Sequence, residues 1–261
     1  MAVKNIEKIK TNIGLFYADD RDEFVTKELR ETKDYSSGER HRYQVFLSPS
    51  SNVLWLGAHI GAHVVPLSKV VKSITAFEAN PETYKLLEKN LNVNECSNVR
   101  SFNLAANDVN CDLKFICNTV NSGGSKRMPK RMHPKYLDHG TTFIDVQAVR
   151  LDDFLDEKNF DFIFLDIEGS ETAALCGMPQ ILSRSSVLVT EFIPHHLTLV
   201  AGVSVEDFLQ PISEFRTLMV PSISRHVYDA EISPFLENMI KENQRDSGLI
   251  FHKNKIPVEW G

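Results

Sequence analysis

Apolar residues in this chain come as short runs separated by amphipathic stretches. Asn52–Leu56, Ile74–Phe77, Val99–Leu104, Asp161–Leu165 and Val187–Thr190 are runs of four to six mostly apolar residues. Runs of this length without polar alternation suit strands covered on both faces. The stretches between them read as helices. Ala62–Val71 can be helical. Asn80-Pro81 supplies an N-cap residue and a first helical proline, after which Tyr84, Leu87 and Leu91 recur at helical spacing and are expected to face a sheet. Strands alternating with helices predict right-handed crossovers and a doubly wound α/β sheet.

Two segments break this rhythm. Between Asn107 and Asp161 there is too much chain for one crossover, and Leu113–Cys117 and Phe143–Val149 read as two extra strands paired at the edge. At the other end, Thr217–Val220 and Leu249–His252 are expected to pair, joined by a helix around Ile232–Lys241. The sheet is then mostly parallel with an antiparallel C-terminal strand. Before residue 51 the pattern is weaker. Phe24, Val25 and Leu29 have helical spacing inside the charged stretch Asp19–Lys33, and Tyr35–Gly38 reads as a loop. Residues 1–50 fit an N-terminal helical cap or an extension, and residues 51–261 the main domain.

Composition adds bounds. The chain has 261 residues, enough for one large domain or two small ones. Lys and Arg number 29 against 35 Asp and Glu, a net charge of −6, which argues against nucleic-acid binding through the whole surface. Cys96, Cys111, Cys117 and Cys176 have no paired spacing and read as reduced thiols. No apolar run reaches the roughly 18 residues of a membrane span. The N-terminus lacks the apolar core of a secretion signal, so a cytoplasmic location is expected.

Ligands of open α/β sheets bind outside the carboxyl ends of the strands. Those ends collect most of the chemistry here. The first strand runs into Gly57-Ala58-His59-Ile60-Gly61, where glycines permit a tight turn and close backbone approach. The second ends in Glu78, at a spacing suited to holding ribose hydroxyls. The third ends near Asn107 and Asp108, which fit either a plain turn or contact with an adenine edge. The fourth ends in Asp166-Ile167-Glu168-Gly169-Ser170-Glu171, where buried acids need partners, and where Glu168 and Glu171 also suit a helix N-terminus. The fifth ends in Glu191, followed by His195 and His196. Asp166, Glu168 and His195 are the candidate catalytic residues, with His195 as a base titrating in the right range. Asp166, Glu191 and His195 form only a mixed oxygen–nitrogen set, so no metal is expected. The basic stretch Lys126, Arg127, Lys130, Arg131, His133 and Lys135 fits either a solvated mobile loop or a lid for an anionic substrate.

Three blocks carry a family resemblance. Gly57-Ala58-His59-Ile60-Gly61, Phe77-Glu78-Ala79-Asn80-Pro81 and Leu165–Glu171 resemble, in order and spacing, the FkbM-type methyltransferase family; Asn121–Ser125 is similar to a small polar stretch of that family. The resemblance covers about residues 52–191. It implies a Rossmann-like class I methyltransferase fold, S-adenosylmethionine as cofactor, and transfer to an oxygen of a small molecule or sugar. It also implies that Gly57, Ala58 and Gly61 back the methionine portion, that Glu78 holds the ribose, that Asn107 and Asp108 lie near adenine, and that Asp166 lies near the transferred methyl; His59 within the same turn is a further candidate for cofactor binding. The chain departs from the family by carrying Trp55 in place of an acid and His59 in place of Asn. Trp55 keeps open an alternative, a cofactor-binding or scaffolding domain without turnover. A nicotinamide dehydrogenase is disfavoured because the turn is not G-x-G-x-x-G.

Overall fold

In the computed structural model, which describes residues 5–254, the chain opens with a hairpin, β1 (Ile6–Lys10) and β2 (Leu15–Asp19), paired antiparallel. Two helices follow, α1 (Val25–Thr32) and α2 (Ser37–Gln44). The N-terminal segment is thus a hairpin followed by helices, where a helical cap or an extension was expected, and Ser37 and Gly38 open α2 instead of ending a loop. Long-range bonds explain the hairpin. Asn94 Oδ1 and Nδ2 bond the backbone of Leu15, and Asn90 Oδ1 and Nδ2 that of Tyr17, docking β2 on a distant helix. Val25 and Leu29 are buried as their spacing predicts, while Phe24 is exposed. Residues 1–4 and 255–261, which the expected segments include, lie outside the described residues.

The main domain follows the predicted alternation: β3 (Asn52–Leu56), α3 (Val64–Ser68), β4 (Ser73–Phe77), α4 (Pro81–Val93) and β5 (Val99–Phe102). The side chain of Asn80 caps α4 by accepting from the Glu82 N–H, and Leu87 and Leu91 are buried. Next come β6 (Ala105–Ala106), β7 (Cys111–Cys117), β8 (Lys126–Arg127), β9 (Thr142–Val149) and α5 (Leu151–Phe154). Then β10 (Phe162–Leu165), α6 (Glu171–Cys176), α7 (Pro179–Arg184), β11 (Val187–Phe192), a π-helix (His196–Ala201) and α8 (Val205–Leu209). The described residues end with β12 (Thr217–Val220), β13 (Arg225–Tyr228), α9 (Ile232–Lys241) and β14 (Asp246–His252).

Among the described residues the central sheet has eight strands in the order β13-β12-β14-β11-β10-β3-β4-β5. Strands β5, β4, β3, β10 and β11 are parallel. Strand β14 inserts antiparallel between β11 and β12, and β13, which the hydropathy pattern did not announce, extends the edge. β7 and β9 pair as expected but in a separate four-stranded sheet with β6 and β8. Alternate residues of the central strands feed two cores. Leu54, Leu56, Ile163 and Leu165 face one; Val53, Trp55, Phe162 and Phe164 face the other.

The chain lays down β3, β4 and β5 in one direction, then returns to the far side of β3 for β10 and β11. The order therefore reverses between β3 and β10. That is where an open α/β sheet leaves a crevice beyond its strand ends. Among the described residues no helix is long and apolar enough to cross a membrane.

Candidate active site

Beyond β3 the backbone turns sharply. The N–H groups of Gly57 and Ala58 both donate to Phe77 O, at 3.0 and 2.9 Å, folding the turn across the end of β4. Gly57 has φ +86°, and a Cβ there would lie 1.9 Å from Asp166 O at the end of β10. Only glycine can bring β3 and β10 this close. Gly57, Ala58 and His59 line a concave, partly apolar cavity beside this turn, open to solvent at its mouth. Gly61, also at positive φ, packs on Leu87 of α4 and does not line it. Its positive φ and its packing on Leu87 shape the turn from behind the cavity wall.

Glu78 stands on the same wall. Oε2 accepts from the His59 N–H and Oε1 from the Asn80 N–H, each at 2.9 Å. Burial outweighs both bonds and pushes the carboxyl up to about 7. The side chain of His59 reaches Ser122 Oγ at 2.7 Å, and the Ser122 hydroxyl donates to Asp22 Oδ2 at 2.5 Å. Because that hydroxyl is already a donor, His59 Nε2–H must donate to it. Burial lowers the His59 pKa, which keeps the ring neutral. This chain of bonds holds the turn at 122–124 and the N-terminal segment over the mouth. Nothing in the sequence pattern pointed to Asp22.

The end of β10 is crowded with charge. Oxygens of Asp166, Glu168 and Glu191 lie within 4.8 Å of one another. Buried Lys126 pairs with Glu168, and its Nζ is 3.3 Å from His196 Nε2. His196 Nε2 lies 3.1 Å from Glu168 Oε2, and its Nδ1 3.5 Å from Glu191 Oε2. Burial opposes charge on Glu168, but the His196 hydrogen bond and the Lys126 charge hold it down at about 2. Burial likewise opposes charge on His196, yet Glu168 and Glu191 raise it to about 9. Glu191 is pushed up to about 7 by burial. Asp166 is raised well above the ordinary carboxylate value by burial and then by Glu191 and Glu168. Two cations from the chain itself thus neutralise the acids, which makes this a buried salt cluster.

Three groups singled out from the sequence are arranged differently from what was expected. The histidine that meets the acids is His196. His195 turns away to Tyr136, whose Oη lies 3.2 Å from His195 Nδ1, and it does not line the cavity; adjacent residues of a helical turn point in different directions. Burial drives His195 down to about 4. The basic stretch is not a free loop: Lys126 is buried in β8, and the N–H groups of Lys130 and Arg131 donate to Val200 O and Leu199 O of the π-helix. Asn107 and Asp108 also miss the cavity. Asn107 is buried with Nδ2 donating to Val109 O, and its carbonyl packs against Gly177; the wall expected of them is made by Leu104, Ala105, Ala106 and Phe115.

Gly57, Ala58, His59, Glu78, Asp166 and Glu168 therefore share one cavity at the sheet's switch point. A family model for the methyltransferase FkbM domain matches residues 56–236, the stretch that builds most of this site. The chain belongs to the FkbM methyltransferase family. Its α/β sheet, mostly parallel with an antiparallel strand inserted, is consistent with a Rossmann-like class I methyltransferase fold. Among solved structures it is similar to a methyltransferase FkbM from Methylobacillus flagellatus KT, at 17% identity and TM-score 0.44, over 79% of this chain and 44% of that one. It thus spans under half the length of that relative. It is also similar to an rRNA methylase from Streptococcus thermophilus (11% identity, TM-score 0.46, 84% and 95% covered). A third likeness is to a TehB-like SAM-dependent methyltransferase from Corynebacterium glutamicum (12%, 0.47, 88% and 94%). No curated protein matches the chain.

Proposed function

We propose that this FkbM-family protein transfers a methyl group from S-adenosylmethionine to a hydroxyl oxygen of a small molecule or carbohydrate. The observation that carries the reading is the meeting of the Gly57 turn, Glu78 and Asp166 on one cavity at the switch point. The residues suit the cofactor. The backbone at Gly57 and Ala58 admits close approach, Glu78 keeps lone pairs for ribose hydroxyls, and Leu104–Ala106 with Phe115 offer an apolar wall for a base. When bound, the cofactor supplies an electrophilic methyl group on a positively charged sulfur.

The remaining work falls to the chain. Asp166 lines the cavity beside the turn, where its carboxylate orients the acceptor hydroxyl and receives its proton. Glu168 forms the same wall and is fixed there by Lys126 and His196. His195, turned toward Tyr136, takes no part in this proton transfer. Trp55, stacked on Phe164 where an acid was expected, favours one other reading, a domain that binds the donor without turnover. Isotope-labelled donor, a panel of small-molecule and glycan acceptors, and mass detection of product separate the two. The enzyme reading expects labelled product, and roughly a 100-fold or greater fall in turnover for Asp166→Asn at saturating donor. Wild-type turnover in that variant removes Asp166 from the mechanism, and donor binding without product on any acceptor supports the second reading.

A further inference from the structure

Beside Asp166 the cavity has an aromatic end. Trp55 of β3 stacks on Phe164 of β10, ring centroids 3.9 Å apart and planes 17° apart. The His63 ring is 5.5 Å from Trp55 and 6.2 Å from Phe164. Tyr35, brought in by the N-terminal segment, meets His63 edge-on at 5.0 Å. All four rings line the cavity together with Asp166. Neither polar ring adds charge near neutral pH. Burial drives His63 down to about 3, and burial followed by the Asp166 charge raises the Tyr35 phenol above its ordinary value. The Nδ1 atom of His63 is buried and unpartnered.

Ring faces carry the negative part of the aromatic quadrupole. A cation stripped of water gains from the rings and from the adjacent carboxyl together. Resting on the methyl-donor reading, we infer that Tyr35, Trp55, His63 and Phe164, with Asp166 at their edge, form an aromatic box for the positively charged sulfonium and ammonium groups of the donor's methionine portion. Trp55 is then a binding surface that does by cation–π attraction what a carboxylate at that position would do by charge. The box also couples the N-terminal segment to binding, because Tyr35 belongs to that segment.

Calorimetry with two ligands tests this. S-adenosylmethionine carries the cationic end; 5′-methylthioadenosine keeps the nucleoside and lacks it. Trp55→Leu is expected to weaken the first about ten-fold, in the range of a desolvated cation–π contact, and to leave the second within about two-fold. Trp55→Phe is expected to keep most of the affinity. Tyr35→Leu, in a half-buried residue outside the sheet, is expected to show the same selectivity at about three-fold, and it decides the matter if Trp55→Leu does not fold. Equal losses for both ligands, or none for S-adenosylmethionine in either variant, overturn the box while the donor reading stands. A wild-type protein that does not bind S-adenosylmethionine at millimolar concentration overturns both.

Discussion

Glu78→Gln tests the electrostatics of the site without a ligand. Glu78 accepts two backbone N–H bonds, from His59 and Asn80, in a place where burial has pushed its carboxyl up to about 7 from 4.5. The folded-state value lies above the unfolded one. The stabilising contribution is therefore fully present below about pH 4.5 and is lost as pH rises through about 7. At about 1.4 kcal/mol per pH unit the loss amounts to about 3 kcal/mol, most of it between pH 5 and pH 9. Glutamine cannot titrate. At pH 5 its amide nitrogen faces a backbone N–H, so the variant should be less stable than wild type by about 1–2 kcal/mol. At pH 9 the gap should close or reverse, because the wild type alone bears a buried charge. Urea unfolding of both proteins at the two pH values measures the change in the gap, and contributions common to both cancel. A gap that stays constant within about 0.5 kcal/mol refutes the raised pKa and the burial argument behind it.

Two other perturbations follow from the geometry. Gly57→Ala places a Cβ 1.9 Å from Asp166 O at φ +86°, so β3 and β10 must separate at the switch point; donor affinity should fall at least ten-fold by calorimetry, with a stability loss of about 2 kcal/mol or more in urea. Lys126→Met removes one cation from a buried cluster and should cost about 3–5 kcal/mol, a fall on the order of 10 °C in Tm; an unchanged Tm would mean the pair is solvated. The same cluster has a defined pH window. His196, raised to about 9, stabilises fully below about pH 6.5 and loses that effect as pH rises through 9; Glu168, held at about 2, stabilises above about pH 4.5 and loses it as pH falls toward 2.

Much of this protein was written in local pattern. The five parallel strands, the Asn80 cap and α9 follow from apolar runs and capping chemistry, signals that act over a few residues. The placement of Gly57, Glu78 and Asp166 on one edge follows as well, because a doubly wound sheet puts all its strand ends on the same side. The rest depended on partners far away in sequence. The hairpin Ile6–Asp19 is held by Asn90 and Asn94, the basic stretch is pinned by the π-helix and Glu168, and Ser122 meets Asp22 across a hundred residues. His195 and His196 are neighbours whose roles differ only because one side chain turns inward and the other out. Trp55 read as a departure from a family pattern, and its tertiary surroundings make it one wall of an aromatic enclosure. Periodicity fixes which face of an element is buried; only packing fixes which side chain from another element it meets there.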